Sequence, residues 1–182
     1  MSDRYVLHRS GEMIHHISPY ASDKYLGRAL NAHIEPLPND AWICVRDNDT
    51  CFLTPNSGRL IEQAIIDRPD VDLFTCATNR VYGQGLSRES DIIAHHDNAS
   101  RLEMGDKKYL QIKGCVPAFF WLFRKSLWLD NPFDDLPIIS GNNSFDARWT
   151  KDKDWVKVRI CHLFIFHFYR LNKDKSDYSH LK

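Results

Sequence analysis

No excess of either charge marks this chain: 24 Lys and Arg stand against 24 Asp and Glu, for a formal net charge of +0. A dominant nucleic-acid-binding role usually shows a basic excess, so this balance argues against one. No CxxC pair occurs among Cys44, Cys51, Cys76, Cys115 and Cys161, and their number is odd. A disulfide scaffold and a cysteine zinc site are therefore both poor fits. Long apolar runs are missing too. The longest, Cys115–Phe123 and Leu163–Phe168, fall well short of the ~20 residues that span a bilayer. The opening Met-Ser-Asp-Arg is too polar for a secretory signal. The expected location is the cytoplasm, with no membrane span. A Gly-rich, basic phosphate loop is also absent, since Gly11 is the lone glycine before Gly27.

What is present suits one α/β domain over 1–182, since compact domains run to roughly 100–200 residues. Tyr5–Leu7 and Met13–Ile17 read as short extended segments. Ser22 offers an N-cap for a helix. Tyr25, Leu26, Ala29, Leu30, His33 and Ile34 share a face of that helix, and Pro36 and Pro38 end it. Ala41–Val45 reads as a buried strand. A second helix from about Ser57 has Leu60, Ile61, Ala64 and Ile65 as its stripe and closes at Pro69. Val71–Ala77 is another strand. This alternation predicts a mostly parallel central sheet flanked by helices. Residues 82–113 read as a polar loop region in which His95-His96 is a solvated pair. Val116–Arg124 predicts a central strand, Asn131–Ser144 a loop, and Ser144 the cap of a short helix bearing Asp146. Val156–Tyr169 has strand character, and the tail after Leu171 is polar.

Open parallel sheets bind ligands beyond the carboxyl ends of their strands. Asp47-Asn48-Asp49 lies at one such end. Two carboxylates one residue apart, followed by Thr50, can hold a hard divalent cation through oxygen. Mg²⁺ or Mn²⁺ in such a site takes further ligands from water and substrate phosphates. An acidic turn is the simpler alternative, because Asp and Asn are common turn formers.

Several segments together resemble the nucleotide-binding half of GT-A glycosyltransferases. They are Ile17-Ser18-Pro19-Tyr20, Lys24-Tyr25-Leu26-Gly27-Arg28-Ala29-Leu30-Asn31 and Trp42-Ile43-Cys44-Val45-Arg46-Asp47-Asn48-Asp49. The likeness is closest to family 2-like members, including small bacterial and phage-type ones. Gly114–Trp128 resembles the acceptor-side strand of that fold. Phe166-His167-Phe168-Tyr169-Arg170 resembles the C-terminal strand whose His completes the metal site. The resemblance covers about Ile14 to Leu171. The chain departs from the family in its shortness and in lacking the Glu-Asp pair before the last helix.

The resemblance implies a single GT-A-like, Rossmann-like domain with three parts. These are a nucleotide-sugar half over about 1–80, an acceptor and catalytic half over about 81–171, and a tail over 172–182. It implies a metal-dependent, inverting, hexosyltransferase-like enzyme. The sugar would pass from a nucleotide sugar, UDP-sugars being the family's commonest donors, to a hydroxyl-bearing acceptor. That acceptor is open between polysaccharide, lipid-linked glycan, protein and modified DNA. Asp47, Asp49 and His167 would hold Mn²⁺ or Mg²⁺. Ser18, Pro19, Tyr20, Lys24, Arg28, Asn31, Asp47 and Asn48 would face the donor. Lys24 and Arg28, at i and i+4, share a helical face and suit either a diphosphate or solvent. Asn79, Arg80, Trp121 and Trp149 are expected on the acceptor side, with aromatic core packing the alternative for Trp121. An inverting transfer needs a carboxylate base, for which Asp146 is preferred. Asp134, Asp135, Asp152 and Asp154 stand behind it. Two other functions remain open: a nucleotidyltransferase on a related sheet, and a non-catalytic nucleotide-sugar or glycan-binding module.

Overall fold

The computed structural model describes residues 6–7, 13–79, 92–103, 105–138 and 143–168. Arg80 and the 172–182 tail lie outside them. Eight strands form one sheet: β1 (Val6–Leu7), β2 (Met13–Ile17), β3 (Trp42–Arg46), β4 (Thr50–Phe52), β5 (Leu73–Thr78), β6 (Tyr109–Ile112), β7 (Phe120–Arg124) and β8 (Lys157–His167). The helices are α1 (Leu26–Ile34), α2 (Ser57–Asp67), α3 (Ile92–Glu103), α4 (Lys125–Asp130) and α5 (Phe145–Thr150). The strand order is β1-β2-β3-β7-β5-β8-β4, with β6 also paired to β8.

The sheet is mixed, which corrects the expectation of a mostly parallel one. Among the described residues, only β2–β3 and β5–β8 pair in parallel; β1–β2, β3–β7, β5–β7, β4–β8 and β6–β8 are antiparallel. The reason is that strands buried on both faces read as unbroken apolar runs whatever their direction. Phe120-Trp121-Leu122-Phe123 carries no sign that it runs against both neighbours. The segment taken for a long polar loop likewise contains α3 and β6. His95 lies buried on α3, stacked on Phe164 with ring centroids 5.6 Å apart, while His96 is exposed. Helix α1 starts at Leu26 rather than after Ser22, and no side chain caps it.

Alternate residues of each central strand enter opposite layers. Trp42, Cys44, Phe120 and Leu122 pack under Ile61, Ala64 and Ile65 of α2. Ile43, Val45, Trp121 and Phe123 pack against Leu30 and Ile34 of α1 and Phe145 and Trp149 of α5. The free cysteines Cys44 and Cys76 are buried in the first layer, where burial pushes the Cys44 thiol up to about 12. Two buried lysines tie loops to this frame. Lys125 Nζ donates to the Glu35 carbonyl (2.8 Å), and Lys157 Nζ donates to the Gly114 carbonyl (3.0 Å).

The registers give β2, β3, β5 and β8 a common direction, with β7 opposed between β3 and β5. Four carboxyl ends and the head of β7 therefore meet at one end of the sheet. There β8 departs from regular pairing. Cys76 aligns with Ile160 but Ala77 with Phe164, leaving Cys161, His162 and Leu163 without counterparts in β5. Beyond this bulge β8 takes β4 as its partner, with Thr50 opposite His167.

Candidate metal and catalytic site

Asp47, Asn48 and Asp49 form the turn that carries the chain from β3 to β4. Several hydrogen bonds hold it. The Asp47 amide donates to the Phe119 carbonyl (3.3 Å). Thr50 Oγ1 donates to the Asp47 carbonyl (2.7 Å). The Phe168 amide donates to the Asp49 carbonyl (2.8 Å). The last of these fixes the acidic turn beside the end of β8.

His167 is reached from the other side of the sheet. Asn79, just past β5 and 1% exposed, accepts the His167 amide at Oδ1 (2.8 Å) and donates from Nδ2 to the His167 carbonyl (3.3 Å). One Asn side chain thus continues the β5–β8 ladder for one more residue and sets the position of the imidazole. His167 Nε2 stands 3.1 Å from Asp49 Oδ1 and 3.5 Å from Asp47 Oδ2. Ligand atoms of all three residues lie within 4.8 Å of one another. Bonds of about 2.1 Å place neighbouring ligands about 3 Å apart and opposed ones about 4.2 Å apart. The three side chains therefore fit around one divalent cation with only small adjustment. Two carboxylates and one imidazole suit a hard to borderline metal, with Mn²⁺ better matched to the nitrogen than Mg²⁺.

The carboxylates differ in character. Burial pushes Asp47 up, the charge of His167 opposes this, and Asp49 adds to it. Burial also raises Asp49, but the hydrogen bond and charge of His167 outweigh it and hold Asp49 below the usual range. Environment thus separates two neighbouring carboxyl groups.

Asp146 sits in the first turn of α5, whose cap is the Ser144 hydroxyl accepting from the Ala147 amide (3.3 Å). Burial pushes Asp146 up to about 6, and the charge of Asp47 adds to the shift. The Ala118 amide donates to its carboxylate and opposes it. Asp146 is thus near enough to Asp47 for their charges to interact. Ala118 was invisible in the sequence because its contribution is a backbone N–H. Thr150 Oγ1 accepts the Val116 amide (2.9 Å) and donates to the Asp146 carbonyl (2.7 Å). This links α5 to the 113–119 segment that presents Ala118.

Ser18, Pro19 and Asn48 meet at the same end. Ser18 Oγ donates to the Arg46 carbonyl (2.7 Å), and Asn48 Nδ2 donates to the Pro19 carbonyl (3.3 Å). The loop after β2 is thereby laced to the acidic turn, with the Tyr20 side chain 81% exposed beside it.

Other expected site residues serve the fold. Arg28 makes a forked pair with Asp135 (3.0 and 3.2 Å). Asn31 donates to the Phe133 carbonyl (2.8 Å) and accepts from Trp128 Nε1 (2.8 Å) and the Phe133 amide (3.2 Å). Lys24 has φ +70° and lends its carbonyl to the Ile138 amide (2.8 Å). Trp121 and Trp149 pack on each other in the core, centroids 4.7 Å apart, with their indole N–H groups spent on the Val116 and Asn131 carbonyls. Neither ring has a face open to an acceptor sugar. Asp134 is held by Arg148, while Asp152 and Asp154 are exposed on the turn after α5.

Among the described residues no helix is long and apolar enough to cross a membrane. Set against known protein families, curated proteins and solved structures, the chain matches none.

Proposed function

We propose that this chain is a metal-dependent glycosyltransferase that moves a sugar, with inversion, from a nucleotide sugar to a hydroxyl-bearing acceptor. The observation that carries the reading is the meeting of Asp47, Asp49 and His167 within 4.8 Å, drawn from two distant parts of the chain. The segments that resemble GT-A enzymes support it, and Mn²⁺ or Mg²⁺ is the proposed metal.

Asp47 and Asp49 would hold the cation through oxygen and His167 through Nε2. A divalent metal bound there supplies positive charge against the diphosphate as it departs. Ser18, Pro19, Tyr20 and Asn48 form the wall against the nucleoside and phosphates. Asp146 accepts the proton of the acceptor hydroxyl as that oxygen bonds to the anomeric carbon and the bond to the diphosphate breaks. A carboxyl group poised at about 6 is largely ionised at neutral pH, yet more basic than an ordinary Asp. UDP-sugars are the proposed donors.

Asp49→Ala tests the reading. Calorimetric titration with UDP should show Mn²⁺-dependent binding in the wild-type chain and a loss of that dependence in the variant. UDP affinity that ignores both Mn²⁺ and the substitution would return the turn to a structural role.

A further inference from the structure

A concavity opens on the α2 side of the sheet, and none of its lining residues is a proposed metal or donor ligand. It encloses about 470 Å³, within the range of small-molecule sites, which runs from ~300 to ~1,000 Å³. Leu60, Tyr109 and Ile160 form its apolar floor, and Asn56, Arg59, Gln63, Lys108 and His162 its polar wall.

The wall is cationic. Arg59 comes from α2 and Lys108 from the turn before β6, so two separate elements bring positive charge to one hollow. Among the described residues neither has a carboxylate within ion-pair distance. The nearby Asp67 offsets part of this charge: it accepts from Gln63 Nε2 (2.6 Å) and Tyr109 Oη (2.9 Å), and the charge of Lys108 also helps to lower it. His162 exists at this spot because of the β8 bulge, and its Nε2 lies 2.7 Å from the Gly105 carbonyl. That bond makes Nε2 the protonated nitrogen and leaves Nδ1 as the second polar atom of the ring. The first turn of α2 also opens here, and its cap residue Asn56 makes no side-chain bond to the helix.

We infer that this hollow is a second ligand site, for a phosphate monoester of a small sugar or nucleoside. The phosphate lies between Arg59 and Lys108, and the flat or apolar body rests on Leu60, Tyr109 and Ile160. Phosphate offers several acceptor oxygens, which cations on different elements can share. The floor explains why an ester is preferred to the bare ion. This site does not depend on the sugar-transfer reading, because it shares no residue with the acidic cluster.

Titration calorimetry on the full chain in EDTA tests it, using glucose 1-phosphate, adenosine 5′-monophosphate and inorganic phosphate as probes. At least one ester should bind saturably without metal and more tightly than inorganic phosphate. Whichever ester binds identifies the body as sugar or nucleoside. Arg59→Ala and Lys108→Ala should each weaken it about tenfold or more, the usual effect of losing a charged hydrogen-bond donor. Both side chains are exposed, so the fold should survive. Asp49→Ala should bind the ester like wild type, which separates this site from the metal cluster. The proposal is overturned if neither ester binds at millimolar concentration, or if both lysine and arginine variants bind like wild type. Inorganic phosphate binding as tightly as the esters also overturns it, as does loss of binding in Asp49→Ala.

Discussion

Burial and the neighbouring charge of Asp47 push Asp146 up to about 6, so its ionised form opposes folding. The sign follows from linkage: a carboxyl group raised above its unfolded value stabilises the fold when protonated. That contribution is complete below about pH 4 and is lost as pH rises through about 6. Asp146→Asn removes the group that titrates. In EDTA, urea denaturation should show the variant level with wild type below about pH 4 and more stable by ~1–3 kcal/mol above pH ~7. A difference that does not change with pH would place Asp146 in an ordinary solvated setting. The same variant should lose about 10²–10⁴-fold in turnover with a competent acceptor while keeping its donor affinity, as expected when a positioned base is removed. Asp134 and Asp135 offer no relief, being tied to Arg148 and Arg28.

Strand β8 positions more of the site than any other element. Its bulge lets one strand pair β6 with its first half and β4 with its second, and Asn79 extends the β5 ladder to reach His167. Asn79→Ala removes the two hydrogen bonds that this buried side chain makes to the His167 amide and carbonyl. It should cost ~1–3 kcal/mol in denaturant titration and weaken Mn²⁺ binding, although Asn79 is not itself a ligand. Helix α1 shows a different constraint. A Cβ on Gly27 would run into the Asp134 carbonyl, so the helix can approach the 131–138 segment only with glycine there. Gly27→Ala should destabilise by ~1–3 kcal/mol, the usual cost of overpacking, without altering metal affinity. Much at this scale was legible beforehand. The stripe Ile61, Ala64, Ile65 announced α2, and Ser144 announced α5 with Asp146 in its first turn. The apolar runs announced β3, β5, β7 and β8. Strands β4 and β6 were not legible, because three or four residues of mixed polarity carry no clear period and form only when β8 offers an edge. Helix α3 was missed because its polar composition masks the buried face carrying His95 and Ala99.

For the whole molecule, a metal held by the acidic cluster, as proposed, would make stability depend on that metal. Mn²⁺ at 100 times its dissociation constant should add about 2.7 kcal/mol. In a chain of this size that raises the melting temperature by roughly 5–10 °C. EDTA should reverse the rise, and Asp49→Ala should abolish it; an equal rise in that variant would mean that Mn²⁺ binds elsewhere. The order of the sheet is where sequence reading fell short. Asp47 and Asp49 were visible as a pair, and His167 as a histidine between two phenylalanines. Which strands run together, and which backbone amide faces Asp146, depends on contacts across the fold that no local pattern records. The Arg59 and Lys108 hollow was likewise hidden, since its walls come from α2, the β6 turn and β8.

The pairing of β4 with β8 also orders events during translation. A ribosome working at about 5–20 residues per second delivers Asp49 on the order of 10 s before His167. Until then β4 has no strand to bind, β5 lacks its parallel partner, and the acidic turn has no imidazole beside it. The nascent chain therefore exposes unpaired strand edges until β8 emerges, the condition in which chaperones engage a polypeptide. The proposed metal site would therefore be completed only with the strand that also gives β4 its partner.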